Sequence, residues 1–347
     1  MFARRSSRRS LAVLIAFVVA IAGLVSTASP ASAATCERGS DDVSVAVFLG
    51  EDPAVPNTIS LQGGEIVVDG TNCGVPGSVV VMDFTATAAA NKQIVFDATE
   101  SWEGIFVVML LESVPEEGTG DLIFAVDAEY DLTVTTSAAS ETVRYTDVAD
   151  GGIIQVLRGD VPHLQLGVLN DPIDLTMRLG SGDDEFNLAN SFDNDLIVGL
   201  TVLGNAGDDM IYGTSLDDDL RGGAGNDDIR GRAGDDSLRG NGGADNMRGG
   251  PGDDDIRGGL GNDVARGNAG ADELRGQGGD DELRGGGGGD FLNGGRGVDL
   301  LIGDAGNDRF KSNGDGSIDT VSGGLGSDDT CDRCDAIDQV RNNVENQ

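Results

Sequence analysis

The residues with most chemistry to offer are aspartates that return every nine positions. From Gly204 to Lys311 the chain divides into twelve unbroken nine-residue copies, the last being GDAGNDRFK at 303–311. Their sixth position holds Asp209, Asp218, Asp227, Asp236, Asp245, Asp254, Asp263, Asp272, Asp281, Asp290, Asp299 and Asp308. Two outlying copies, LGSGDDEFN (179–187) and GGLGSDDTC (323–331), place Asp184 and Asp328 at the same point. A carboxylate is a hard oxygen ligand, and calcium accepts about six to eight such oxygens without strict geometry, including backbone carbonyls that a turn leaves free. The carbonyls expected to join the aspartates lie around Gly222, Gly225, Gly231, Gly234, Gly249, Gly252, Gly258, Gly261, Gly267 and Gly270. Asp227 and Asp245, eighteen residues apart, are expected to flank one cation, and Asp236 and Asp254 another on the opposite edge.

The elements that must position these carboxylates are legible in the other fixed places. Position one is glycine in all twelve copies, position four is glycine in eleven with Leu216 the exception, and position eight is apolar in all twelve. Glycine supplies the positive backbone angles and close approaches of a tight turn. Positions seven to nine alternate outward, inward, outward as a strand does, which places Ile211, Leu220, Ile229, Leu238, Met247, Ile256, Leu274, Leu283, Leu292, Leu301 and Phe310 inside. Each copy therefore reads as one turn and one short strand. Two copies make a coil, because two strands must face each other to bury position eight, and coils stack with strands about 4.8 Å apart. The expected fold is an all-β, right-handed parallel β-roll. Its core is only a pair of apolar rows, while ordering costs roughly 1–2 kcal/mol per residue, so bound ions are expected to complete it.

The copies GGAGNDDIR (222–230), GGPGDDDIR (249–257) and GGLGNDVAR (258–266) resemble the calcium-binding nonapeptide of RTX, or hemolysin-type, proteins, G-G-x-G-x-D-x-U-x. The resemblance spans 204–331. It implies several Ca2+ ions held between coils by turn carbonyls and the position-six aspartates. Two copies are read as weak: GTSLDDDLR (213–221) carries Leu216 where glycine is usual, and GNGGADNMR (240–248) has Asn241 in place of the second glycine. The chain looks most similar to secreted calcium-binding repeat proteins of high-GC Gram-positive bacteria, because a cleavable N-terminal segment precedes its repeats.

That segment is residues 1–33, where Arg4, Arg5, Arg8 and Arg9 precede the apolar run LAVLIAFVVAIAGLV, and Ala31-Ser32-Ala33 offers small residues for cleavage before Ala34. It reads as a signal peptide, so the mature chain is expected to be secreted and extracellular, free or at the cell surface, with no membrane span after cleavage. The whole chain carries 60 acids against 23 bases, a net charge of -37. Losing four arginines and no acids takes the mature chain to -41. Such a polyanion is no partner for nucleic acid. Four cysteines in an exported chain allow three pairings, and the local pairings Cys36–Cys73 and Cys331–Cys334 are the simplest. A zinc site at Cys331 and Cys334 would need two more soft ligands, and the single histidine, His163, is far away in the sequence.

Residues 34–178 hold β-rich runs such as VSVAVFL, SVVVMDF and IFVVMLL. They are read as a degenerate parallel β-helix continuing into the roll, since IDLTMRL (173–179) and DLIVGLTVL (195–203) lead into the repeats without a Pro/Ser-rich linker; a β-sandwich is the alternative. The domain organisation is thus 1–33 signal peptide, 34–178 β-rich region, 179–203 transition, 204–331 roll and 332–347 tail. No H-E-x-x-H and no G-x-S-x-G occurs, and no pair of acids stands out as catalytic. The expected function is therefore non-catalytic calcium binding, with a carbohydrate-active enzyme or adhesin carrying the roll as a tail the competing class. NGDGSID (313–319) looks like half of an EF-hand loop but lacks acids at its first and last ligand places, so it is read as an insertion in the roll. Arginine stands at position nine in eight successive copies, Arg221 to Arg284. These arginines are expected to neutralise the acids at position seven on neighbouring strands, with an anionic cell-surface or extracellular polymer as a second partner they could serve.

Overall fold

The computed structural model describes separate strands within 35–169, then 173–188, 197–312, 317–326 and 328–332 as near-continuous runs, followed by two short strands. The signal-peptide residues, and Asn313 to Gly316 of the EF-hand-like stretch, lie outside the described residues.

The repeats stack because a nine-residue period sends successive copies alternately to two opposed sheets. Every eighteenth residue then returns to the same sheet and pairs in parallel. Ile211 meets Ile229, which meets Met247 and then Ala265 in one sheet, while Leu220, Leu238, Ile256 and Leu274 meet in the other. All twelve position-eight side chains, Ala265 included, have 0 % exposure. The core is thus the expected pair of facing apolar rows. The strands run longer than positions seven to nine: Asn246–Pro251 and Glu273–Gly278, for example, continue through the first three positions of the next copy. The reason is that the first glycines keep pairing with the coil beyond, leaving only positions four to six as the turn.

The same two sheets extend in the other direction. Ile173–Arg178 pairs in parallel with both Tyr130–Thr135 and Ile197–Ala206, and the last of these pairs with Asp218–Ala224. In the opposite sheet Thr142–Val148 pairs with Glu185–Asn187, which leads to Met210–Tyr212. Further back, Ser44–Phe48, Val79–Ala86, Phe106–Ser113 and Val161–Leu169 are parallel neighbours. Among the described residues the architecture is an all-β, largely parallel solenoid, and this continuity stands against a separate β-sandwich. No helix occurs among the described residues, and so none there is long and apolar enough to cross a membrane. Antiparallel pairs interrupt the parallel order where the nine-residue period is absent: Thr142–Val148, Gly151–Arg158 and Val161–Leu169 form a meander, and Asn57–Gln62, Glu65–Val68 and Thr71–Gly74 another. Short connections such as Ala149-Asp150 permit a hairpin but cannot span a crossover. His163 lies within one of these strands, Val161–Leu169.

The far end corrects two readings. Phe310 pairs with Cys331, so the cysteine takes the inward place that the sequence period assigns to Thr330. Cys331 is fully buried, and the aspartate carried into the turn is Asp329 at 0 % exposure, with Asp328 exposed. The shift follows from one extra residue in the turn, since Gly303 faces Gly323 twenty positions on whereas Asp308 is bonded to Asp329, twenty-one on. The EF-hand-like stretch also delivers a ladder residue: Thr320–Leu325 pairs with Leu300–Ala305, and Asp319, 3 % exposed, falls in line with Asp299.

Candidate metal centre

Stacking alone buries the position-six aspartates. From Asp209 to Asp308 each is between 1 and 3 % exposed. Each backbone amide donates to the Oδ1 of the aspartate one coil further on. One file runs from Asp184 to Asp209 (2.8 Å), Asp227 (2.8 Å), Asp245 (2.9 Å), Asp263, Asp281, Asp299 and Asp319. The second runs along the opposite edge from Asp218 through Asp236, Asp254, Asp272, Asp290 and Asp308 to Asp329. The pairs Asp227/Asp245 and Asp236/Asp254 are therefore brought together as their spacing predicts.

The second carboxylate oxygen sets the chemistry. Oδ2 of Asp209, Asp227, Asp236, Asp245, Asp254, Asp263, Asp272, Asp281, Asp290 and Asp308 is buried with no hydrogen-bond donor. A buried acceptor left unsatisfied costs about 1–3 kcal/mol, and more when charged. Main-chain oxygen converges on the same points. A methyl group built on Gly204 would lie 2.2 Å from Asp209 Oδ2 and 2.4 Å from the carbonyl oxygen of Gly222. On Gly240 it would lie 2.1 Å from Asp245 Oδ2 and 2.7 Å from the Gly258 oxygen. Position one must therefore lack a side chain, because two oxygens already occupy its flank. Buried oxygens gathered without a hydrogen-bond donor suit a hard cation. Among the described residues no three or more His, Cys, Asp or Glu side chains gather into one cluster. An ion in these turns would accordingly take one or two carboxylates and complete its shell with main-chain oxygens. The donor set fits calcium.

The two divergent copies behave differently. Asp218 is satisfied by its own turn: the Thr214 amide donates to Oδ2 at 2.6 Å and the Thr214 hydroxyl to Oδ1 at 3.0 Å. With Leu216 in place of the turn glycine, protein hydrogen bonds stand where the other turns hold a bare oxygen. Asn241 instead adopts φ 79° in place of a glycine, a conformation asparagine tolerates, and the Asp245 site is intact. The sequence reading missed a second file altogether. Position five carries Asp or Asn in eight of the twelve copies. There Asp208 Oδ1 accepts the Asn226 amide at 2.7 Å, Asn226 Oδ1 accepts that of Ala244 at 2.8 Å, and Asp217, Asp235 and Asp253 do likewise on the other edge. Positions five and six thus reach in opposite directions along the stack and tie each coil to both neighbours.

Burial dominates the acidity of the inner file. It pushes the Asp236 carboxyl up to about 8, Asp209 and Asp281 to about 7, and Asp227, Asp245, Asp254, Asp263, Asp272, Asp290 and Asp308 to about 6, although the amide bond to each pulls the other way. A carboxyl in an unfolded chain titrates near 3.9. The folded state therefore holds its protons to higher pH, and this contribution to stability is complete below pH ~4 and is lost as pH rises through 6 to 8. Without metal, the repeats are expected to gain β-structure as the pH is lowered from 8 to 5; circular dichroism in chelator checks this, and no change would mean that the aspartates are solvated.

On the outer faces the arginines meet the acids across neighbouring strands, as anticipated, and also along their own strand. Across strands Arg239 binds Asp219 (2.8 Å) and Arg275 binds Asp255 (3.0 Å), while within a strand Arg221 binds Asp219 (2.6 Å), Arg257 binds Asp255 (2.7 Å) and Arg230 binds Asp228 (2.8 Å). Half-exposed pairs of this kind contribute about 0–1 kcal/mol each. There is no free cysteine among the described residues. No curated protein matches the chain. Residues 201–220, 212–247, 248–283, 257–292 and 275–310 match the RTX calcium-binding nonapeptide repeat (4 copies). The buried aspartates from Asp209 to Asp308 thus stand on RTX calcium-binding nonapeptide repeats.

Proposed function

We propose that the chain is a secreted, non-catalytic calcium-ion-binding protein whose repeats order into the roll when they meet extracellular calcium. The observation that carries this reading is the set of ten buried Asp Oδ2 atoms, spread over both files from Asp209 to Asp308, that have no hydrogen-bond donor. Bound calcium supplies the positive charge that the converging oxygens lack. The glycines at positions one and four allow the coils to approach, and the amide-to-Oδ1 bonds hold each carboxylate in place. Every coil formed positions the oxygens of the next. Extracellular calcium modules bind at about 10⁻⁴–10⁻³ M, so ordering would follow export. Removal of residues 1–33 and the disulfides Cys36–Cys73 and Cys331–Cys334 belong to the same reading. The packing of Thr35–Arg38 against Thr71–Gly74 favours the first of these bonds.

The test is equilibrium dialysis of the mature chain against calcium, counting bound ions. Several ions per chain are expected. Asp245→Asn should lower the count, while Asp218→Asn, whose carboxylate Thr214 already satisfies, should leave it unchanged. No ions bound at millimolar calcium would overturn the reading.

A further inference from the structure

The sheet that holds Ser237–Gly242, Asp255–Leu260 and Glu273–Gly278 carries a notch whose side chains calcium binding does not use. Its outer face is ordered in columns by the parallel register. Arg221, Arg239, Arg257 and Arg275 form one column, and Asn241, Gly259 and Gln277 run beside it. Gly259 therefore leaves a gap between two amides that stand two strand steps apart, about 9.6 Å at ~4.8 Å per step. Arg239 and Arg257 wall the gap on one side and Leu260, 73 % exposed, on the other. Together they enclose a cleft of about 230 Å³. The arginines are incompletely neutralised. Ser237 occupies the place on the strand of Arg239 that an acid takes on the strands of Arg221 and Arg257, so Arg239 shares Asp219 with Arg221. Each guanidinium has five N–H donors; Asp219 takes one from Arg239, and Asp255 takes two from Arg257.

From this geometry we infer that the notch binds a carboxylated sugar unit of an acidic polysaccharide. Guanidinium groups recognise carboxylates by paired hydrogen bonds. The Asn241 and Gln277 amides can each donate to and accept from sugar hydroxyls. Leu260 offers an apolar surface to the C–H face of the ring. The length of the gap admits one ring lying along the stack, and the arginine column continues past both ends, so a chain of such units would run parallel to the roll axis. The repeat pattern requires none of these choices, since position two is variable, with glycine in five of the twelve copies, and position three is alanine or glycine in eight.

The experiment is calorimetric titration of the mature chain with hexagalacturonate at constant free calcium, with the fully methyl-esterified hexamer as the neutral control. Circular dichroism of every sample establishes that the roll is folded, so that failure of the calcium reading and failure of the notch are separate results. The acidic hexamer should bind and the ester should not. R239Q/R257Q should weaken binding at least tenfold with calcium stoichiometry unchanged, and Gln277→Ala, an exposed change that leaves the arginines in place, should weaken it severalfold. Equal affinity of the folded variants and the wild type, or no binding by the folded wild type, overturns the inference.

Discussion

In chelator at neutral pH, the mature chain is expected to lack the β-structure of residues 204–332 and to regain it in one steep transition as calcium reaches about 10⁻⁴–10⁻³ M. The steepness follows from the files. The amide of Asp227 is bonded to Asp245 and that of Asp245 to Asp263, so an ordered coil already fixes half of the next site. A stack in which each repeat touches only its neighbours propagates order along its length. Magnesium should fail at the same concentration, because it demands near-ideal octahedral geometry and gives up its water reluctantly, whereas these sites rely on main-chain oxygens held by a stacked backbone. Far-UV circular dichroism during parallel titrations reads the outcome. Full β-structure in chelator at pH 8, where the raised aspartates are ionised, would mean that the repeats stand without metal.

The second large effect concerns the close stacking of a turn glycine at position four. Gly252→Ala should destabilise the calcium-loaded roll by about 2–6 kcal/mol, combining positive-φ strain of ~1–3 kcal/mol with overpacking of ~1–3 kcal/mol. Gly252 has φ 138°, and an added Cβ would lie 1.9 Å from the carbonyl oxygen of Gly234 in the preceding coil. Backbone stands on the other side of that clash, so no side chain can move to relieve it. Gly242→Ala is the control. It ends the strand Ser237–Gly242 just before a turn, but the nearest neighbour of an added Cβ would be 3.8 Å away and its φ is not in the left-handed region. Melting temperature in saturating calcium should fall by about 10 °C for Gly252→Ala, at roughly 2–4 °C per kcal/mol in a large domain, and hardly move for Gly242→Ala. Equal melting points for the two variants would show that the close stacking at position four is dispensable.

Much of this protein is settled by the sequence alone, because its repeat is short and nearly unbroken. A nine-residue period with glycine at one and four, aspartate at six and an aliphatic at eight admits few folds. It assigns Leu238 to the core and Asp236 to the turn without any tertiary information. The eighteen-residue spacing likewise says which aspartates become neighbours. Position five was equally visible as a run of Asp and Asn, but its role was not. Whether such a side chain faces water or the next amide depends on where the coil above it lies.

Tertiary structure decided the places where the period fails. At the C-terminal end the motif puts Asp328 in the turn, yet burying Cys331 beneath Phe310 moves the register by one and brings in Asp329. Pairing with an already formed coil outweighs the local pattern, since a strand shifted by one residue would turn its apolar side chain outward. Asp319 enters the file for the same reason, although its surroundings look like half of another calcium loop. At Asp218 a threonine four residues earlier replaces what the other turns leave unsatisfied. Before Gly204 no period specifies the pairing, and the antiparallel meander of Thr142–Leu169 arises among the parallel strands. Register and pairing are cooperative properties of stacked backbones. They can be read from one chain only where every coil repeats the last.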